Sequence, residues 1–179
     1  MYRTNYIEIM KKLHLLKTLV DLFWFFAVLS TVAILIFVPM FLFSDKPLDV
    51  PVKINDEIVT AMDMTSKLIL LGFVLAYGFF IYGIFLFRKV LNHFSKREIF
   101  HENVIVLLNK IGKMFVIASI ISLVVSFVHR FYIENEVHFG VEVGADSFLI
   151  AASWGLFFMV LSEVFAIGKN IKEENELTI

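Results

Sequence analysis

An all-α integral membrane four-helix bundle, built as two helical hairpins, is the fold this sequence predicts. Three observations predict it. Four long runs are almost free of charge. Apolar residues make up 59% of the chain, with 21 Phe and a mean hydropathy of +0.83, above the roughly 45–50% of soluble domains. Finally, the basic residues sit overwhelmingly in alternate inter-run segments, the pattern that orients spans in a membrane. At 179 residues the chain suits a single domain.

The first 20 residues place Tyr2, Tyr6, Met10, Leu13, Leu16 and Val20 at three- and four-residue spacing, with Arg3, Lys11, Lys12 and Lys17 mostly off that stripe. This is an amphipathic helix suited to a headgroup region or to extending the first span. The apolar run that follows is too long for a secretory signal, and no small-residue cleavage site closes it. Leu22 to Ser44 carries no charge, which exceeds the roughly 20 residues needed to cross about 30 Å of hydrocarbon. The first span is set at 18–43, with Phe23 and Trp24 as interface anchors. Pro39 lies near its far end, where a kink is tolerated.

Residues 44–67 are polar and acidic. Val50, Val52 and Ile54 alternate around Pro51, which predicts an edge-type strand. The second span, 67–87, carries Gly72, Ala76 and Gly83 on one face, where small residues let helices approach closely. A charged connector, 88–113, follows, with a helix break at Ser95 to Glu98 and an apolar stripe of Val104, Leu107, Leu108 and Ile111. The third span, 114–133, has Ala118, Ser122 and Ser126 in four-residue steps beside Ser119. Its end holds His129 and Arg130, which can snorkel to the surface. In the next loop Val137, Phe139, Val141 and Val143 alternate. Pairing of this segment with Val50–Ile54 predicts a small extracytoplasmic β-element. The fourth span, 147–168, places Ala151, Gly155 and Ser162 on one face, and a polar tail closes the chain.

Orientation follows from the Lys and Arg residues. Twelve of the 16 lie before the first span, in the connector or in the tail, against four in the intervening loops, which also hold nine of the 17 acids. Both termini and the connector are therefore expected in the cytoplasm, at a cell inner membrane. The bilayer is the expected environment. A net charge of −1 gives no reason to expect direct nucleic-acid binding.

No pattern of residues here carries catalysis. Zero Cys excludes disulfides, thiol catalysis and thiolate metal sites. His101-Glu102 starts a zinc-protease pattern, but Ile105 occupies the place of its second His. Phosphate loops, nucleophile elbows and paired-carboxylate motifs are absent from the sequence. His93, Glu98 and His101 read better as solvated charges than as a metal site. The expectation is a protein that is not an enzyme, with no cofactor and no metal. Arg88-Lys89 and Lys96-Arg97 read as orientation determinants, with anionic-lipid contact as their functional alternative.

Glu163 is the one acid well inside an apolar run, about five residues from its cytoplasmic edge. An ionisable residue so placed is a functional candidate that needs a named partner. Lys113, Arg88, Lys17 and the Ser119 hydroxyl lie at the right level. Glu163, Ser119 and Lys113 thus form a candidate intramembrane polar site. It is either a lock on the bundle or a proton- or signal-linked element.

Two short motifs carry a resemblance. One is Ile99-Phe100, Asn103, Leu107 and Ile111-Gly112. The other is Glu163-Val164-Phe165, Gly168 and the ending Glu173-Glu174-Asn175-Glu176-Leu177-Thr178-Ile179. Together they make the chain similar to the bacterial four-span membrane family catalogued as domain of unknown function 2975. It departs from the family pattern at Arg97, Glu98 and Ile99, where small or acidic residues are usual, and at Asn175-Glu176, where an Asp is common. The resemblance implies a gene beside a small helix-turn-helix regulator of the Cro type, and hence a membrane partner or sensor for a transcription factor. Phe100, Asn103, Gly112, Gly168 and Leu177 are then a candidate cytoplasmic motif. Two other readings stand beside it. One is a small transporter or protective (immunity) protein, with Glu163 and the Ser119/Ser122/Ser126 face along a polar path. The other is an accessory subunit of a membrane complex.

Overall fold

A computed structural model describes residues 2–43, 52–54, 57–59, 64–131 and 146–177. In chain order these form α1 (Tyr2–Phe43), β1 (Val52–Ile54), β2 (Glu57–Val59), α2 (Met64–Ser95), α3 (Glu102–His129) and α4 (Asp146–Leu177). All four helices are long and apolar enough to cross a membrane, and together they make an all-α four-helix bundle. α1 is continuous for 42 residues, so the amphipathic start and the first span are one helix.

Consecutive helices pack side by side and antiparallel. Along α1 and α2, Asp21 meets Arg88, Trp24 meets Phe85, and the Tyr77 hydroxyl donates to the Ala27 carbonyl at 3.3 Å. Along α2 and α3, the rings of Phe80 and Phe115 stack at 5.1 Å. Along α3 and α4, the Ser162 hydroxyl donates to the Ile105 carbonyl at 2.8 Å, and Lys169 meets Glu102 at 3.1 Å. The beginning of α1, the α2–α3 connection and the end of α4 therefore share one end of the molecule.

Packing is uneven along that axis. Val90, Val104 and Ile111 are fully buried, and Leu91, Leu108 and Ser162 nearly so. Val90, Val104, Leu108 and Ile111 form one cluster with Leu86, Phe115 and Phe158. Most of it lies towards the α2–α3 connection. α1, by contrast, lies along α2 and leaves most of its circumference open, from Leu15 and Leu19 to Leu35 and Ile36. In a bilayer that surface meets lipid, which is as apolar as leucine and offers no force to bury it.

The small residues act at close crossings. A Cβ on Gly112 would lie 2.5 Å from the Gly155 carbonyl oxygen, and one on Gly155 would lie 2.8 Å from the Gly112 carbonyl oxygen. The two backbones touch there, so neither position admits a side chain.

One expectation is met in part and one is corrected. Of the strand expected at Val50–Ile54, residues Val52–Ile54 form β1, which pairs antiparallel with the adjacent β2, Val52 opposite Val59 and Ile54 opposite Glu57. The Val137–Val143 segment lies outside the described residues. His129 does not reach the surface. It is fully buried, and neither ring nitrogen has a hydrogen-bond partner among the described residues.

Candidate functional site

The helices outrun the membrane at the connection end. α2 and α4 each have 32 residues, about 48 Å at the helical rise, against about 30 Å of hydrocarbon. Charge shows where the excess lies. The Arg88 Nε donates to Asp21 at 2.6 Å, and the guanidinium lies 5.4 Å above the Trp24 ring. Lys89 reaches the Phe85 ring at 4.6 Å. With exposed Lys110 and Lys113 on α3, these groups mark the level at which hydrocarbon gives way to headgroups. Beyond it, the ends of α2, α3 and α4 continue as a three-helix platform with a close-packed interior.

The connection is built by two caps. Arg97 has φ 66°, the left-handed conformation. Glu98 N–H donates to the His93 carbonyl and Arg97 N–H to the Phe94 carbonyl, both at 3.0 Å. This is the paired-bond ending that satisfies the last carbonyls of a helix. At the other side, the His101 Nδ1 accepts from the Asn103 N–H at 3.2 Å and caps α3. Between the caps, His93 Nδ1 donates to Glu98 Oε2 at 2.6 Å. That bond holds the Glu98 carboxyl below its ordinary value of 4.5, with the charges of His93, Lys96 and His101 adding to it against a desolvation effect. The folded state thus favours ionised Glu98. This contribution to stability is complete above the ordinary carboxylate range and is lost as pH falls through the depressed value.

Phe100 and Gly168, both in the family-like motifs, are brought together. The Phe100 ring lies against Gly168, where a Cβ would stand 2.6 Å from it, and 5.8 Å from the Phe165 ring. Phe165 in turn meets Phe94 at 5.9 Å. Phe100 is nonetheless 41% exposed, Ile99 is 40% and Ile171, one turn beyond Gly168, is 54%. These apolar side chains stand on a charged end of the molecule, beyond the level of Arg88 and Lys110. Asn103 lies in the first turn of α3 at the edge of this surface. Gly112 belongs to the α3–α4 crossing, not to the surface. Leu177, 87% exposed, ends α4 nine residues beyond Gly168.

The candidate intramembrane trio is not assembled. Glu163 is exposed on the outer side of α4, with neither hydrogen bond nor ion pair among the described residues. Its neighbour Ser162 contacts Ile105, so it lies on the connection side of Lys110. Lys113 follows Gly112, which meets Gly155, eight residues or about 12 Å from Glu163 along the helix. The buried Ser119 hydroxyl donates to Val116 of its own helix at 3.2 Å. Arg88 is engaged by Asp21.

Sequence reading missed the Asp21–Arg88–Trp24 clamp, whose partners lie more than 60 residues apart with no local signal. It also missed the cap at His101, because helix starts are sought at Ser, Thr, Asp and Asn. Among the described residues, no group of three His, Cys, Asp or Glu side chains is placed to hold a metal ion.

Four helices long and apolar enough to cross a membrane, three of them sharing a core, define a multi-pass membrane protein. Residues 14–179 match the family model described as Protein of unknown function (DUF2975), and the chain belongs to that family. Searches of curated proteins and of solved structures find no match.

Proposed function

We propose that this is a non-enzymatic bacterial inner-membrane protein whose α2–α3 connection and α4 end form a cytoplasmic docking platform for a soluble regulator. The regulator class, a small helix-turn-helix protein, comes from the family resemblance. The observation that carries the reading is the exposed apolar surface of Ile99, Phe100 and Ile171 on a rigid, close-packed support beyond the lipid. Exposed apolar groups on an aqueous face mark interaction sites. The excess of Lys and Arg in the same segments supports a cytoplasmic position.

Docking transmits a signal only if a stimulus binds the free and docked states unequally. The transport and immunity readings would need Glu163 to face a polar path between helices, and its place on the outside of α4 lends them no support.

Co-purification tests the reading. The full-length protein in mild detergent is expected to retain the helix-turn-helix protein encoded beside it. Phe100→Ser combined with Ile171→Ser is expected to lower retention at least tenfold, while Leu35→Ser on the lipid face of α1 leaves it unchanged. No retention by the wild type, together with unaltered expression of the regulator's target genes after deletion, rules the platform out.

A further inference from the structure

The connection between α2 and α3 carries two imidazoles that docking itself does not use. The rings of His93 and His101 lie 6.0 Å apart and 15° from parallel. Their bonds differ in what they permit. His93 Nδ1 donates to the Glu98 carboxylate, which suits a neutral or a charged ring. His101 Nδ1 accepts from the Asn103 N–H, so that nitrogen cannot hold a proton. Neutral imidazole has one acceptor nitrogen and imidazolium has none.

We infer that His101 is a proton-operated cap on α3, and that it sets the order of the neighbouring docking surface. Neutral, it holds the first turn and keeps Phe100 seated on Gly168. Protonated, it releases the Asn103 N–H, and the turn that carries Phe100 loosens.

The charges around this ring come from every element packed there. α2 contributes His93, the connection Lys96, Arg97 and Glu98, α3 contributes Glu102, and α4 contributes Lys169 with Glu173. Glu98 is hydrogen-bonded to His93, and Glu102 is engaged by Lys169 at 3.1 Å, with Glu173 a further 3.7 Å contact of the same lysine. Glu98 and Glu102 thus have hydrogen-bonding partners of their own, although Glu98 also lies close enough to be favoured by positive charge on His101. A proton on His101 would also place positive charge at the N-terminal end of the α3 dipole, the unfavourable sign. A cap made by an acceptor nitrogen is lost when that nitrogen takes a proton. The consequence for docking rests on the platform reading; the cap itself does not.

Amide exchange at Asn103 in the full-length protein in micelles tests it. After correction for intrinsic rates, protection is expected to fall about fivefold or more between about pH 7.5 and about pH 5.5, the loss of one cap across the histidine range. In His101→Asn, whose side-chain oxygen caps without titrating, protection should not respond to pH. Unchanged wild-type protection, or the same pH response in His101→Asn, overturns the inference. The readout needs no partner. A pH-sensitive cap with no regulator bound at either pH therefore counts against the platform alone.

Discussion

Gly112→Val is expected to lower the stability of the bundle by about 3 kcal/mol, the upper end of what overpacking costs. The reason is what the new side chain meets. A Cβ at Gly112 would stand 2.5 Å from the Gly155 carbonyl oxygen and 3.0 Å from the Met159 backbone nitrogen. Backbone on a packed helix cannot rotate away as a side-chain tip can, so α3 and α4 must separate. Thermal unfolding in detergent measures the effect. Gly78→Ala is the control, because nothing lies within 4 Å of a Cβ there. That change is expected to be neutral or to stabilise by up to about 1 kcal/mol, since alanine replaces glycine inside a helix. Equal losses at the two positions would contradict the crossing.

Leu108→Ala is expected to cost about 2–5 kcal/mol, the range for a truncated core leucine. Leu108 is 1% exposed and lies in one cluster with Val90, Val104 and Ile111. These residues sit at or beyond the level of Arg88 and Lys110, so part of their burial removes apolar surface from water, not from lipid. Leu35→Ala, on the open side of α1, should change stability by no more than about 0.5 kcal/mol. Melting curves of both variants make the comparison. Equal effects would mean that the interior is not concentrated at the connection end.

The sequence was legible where the bilayer imposes strong rules. Uninterrupted apolar length marked four helices, because backbone in hydrocarbon must satisfy itself internally. Spacing also predicted the faces. Ala76, Ala118, Gly155 and Ser162 are buried, as are Val104, Leu108 and Ile111 of the connector stripe. Pairings between distant residues were not legible. Asp21 lies at the edge of an uncharged run and gives no sign that Arg88 will meet it. Glu163 stood out because sequence places it inside an apolar run, whereas its depth depends on how α4 slides against α3. The Ser162–Ile105 bond fixes that offset, and no local pattern encodes it. His129 is a similar case: position suggested the surface, and tertiary packing buried it.

The docking platform proposed above requires the surface around Phe100 to face the cytoplasm. The chain has no Cys, so an introduced thiol is the only one present. Lys96→Cys and Lys53→Cys, probed with a membrane-impermeant maleimide, compare the connection with the hairpin segment. Lys96→Cys is expected to resist labelling in intact cells and to react in inverted vesicles, while Lys53→Cys does the opposite. Labelling of Lys96→Cys from outside intact cells would contradict it.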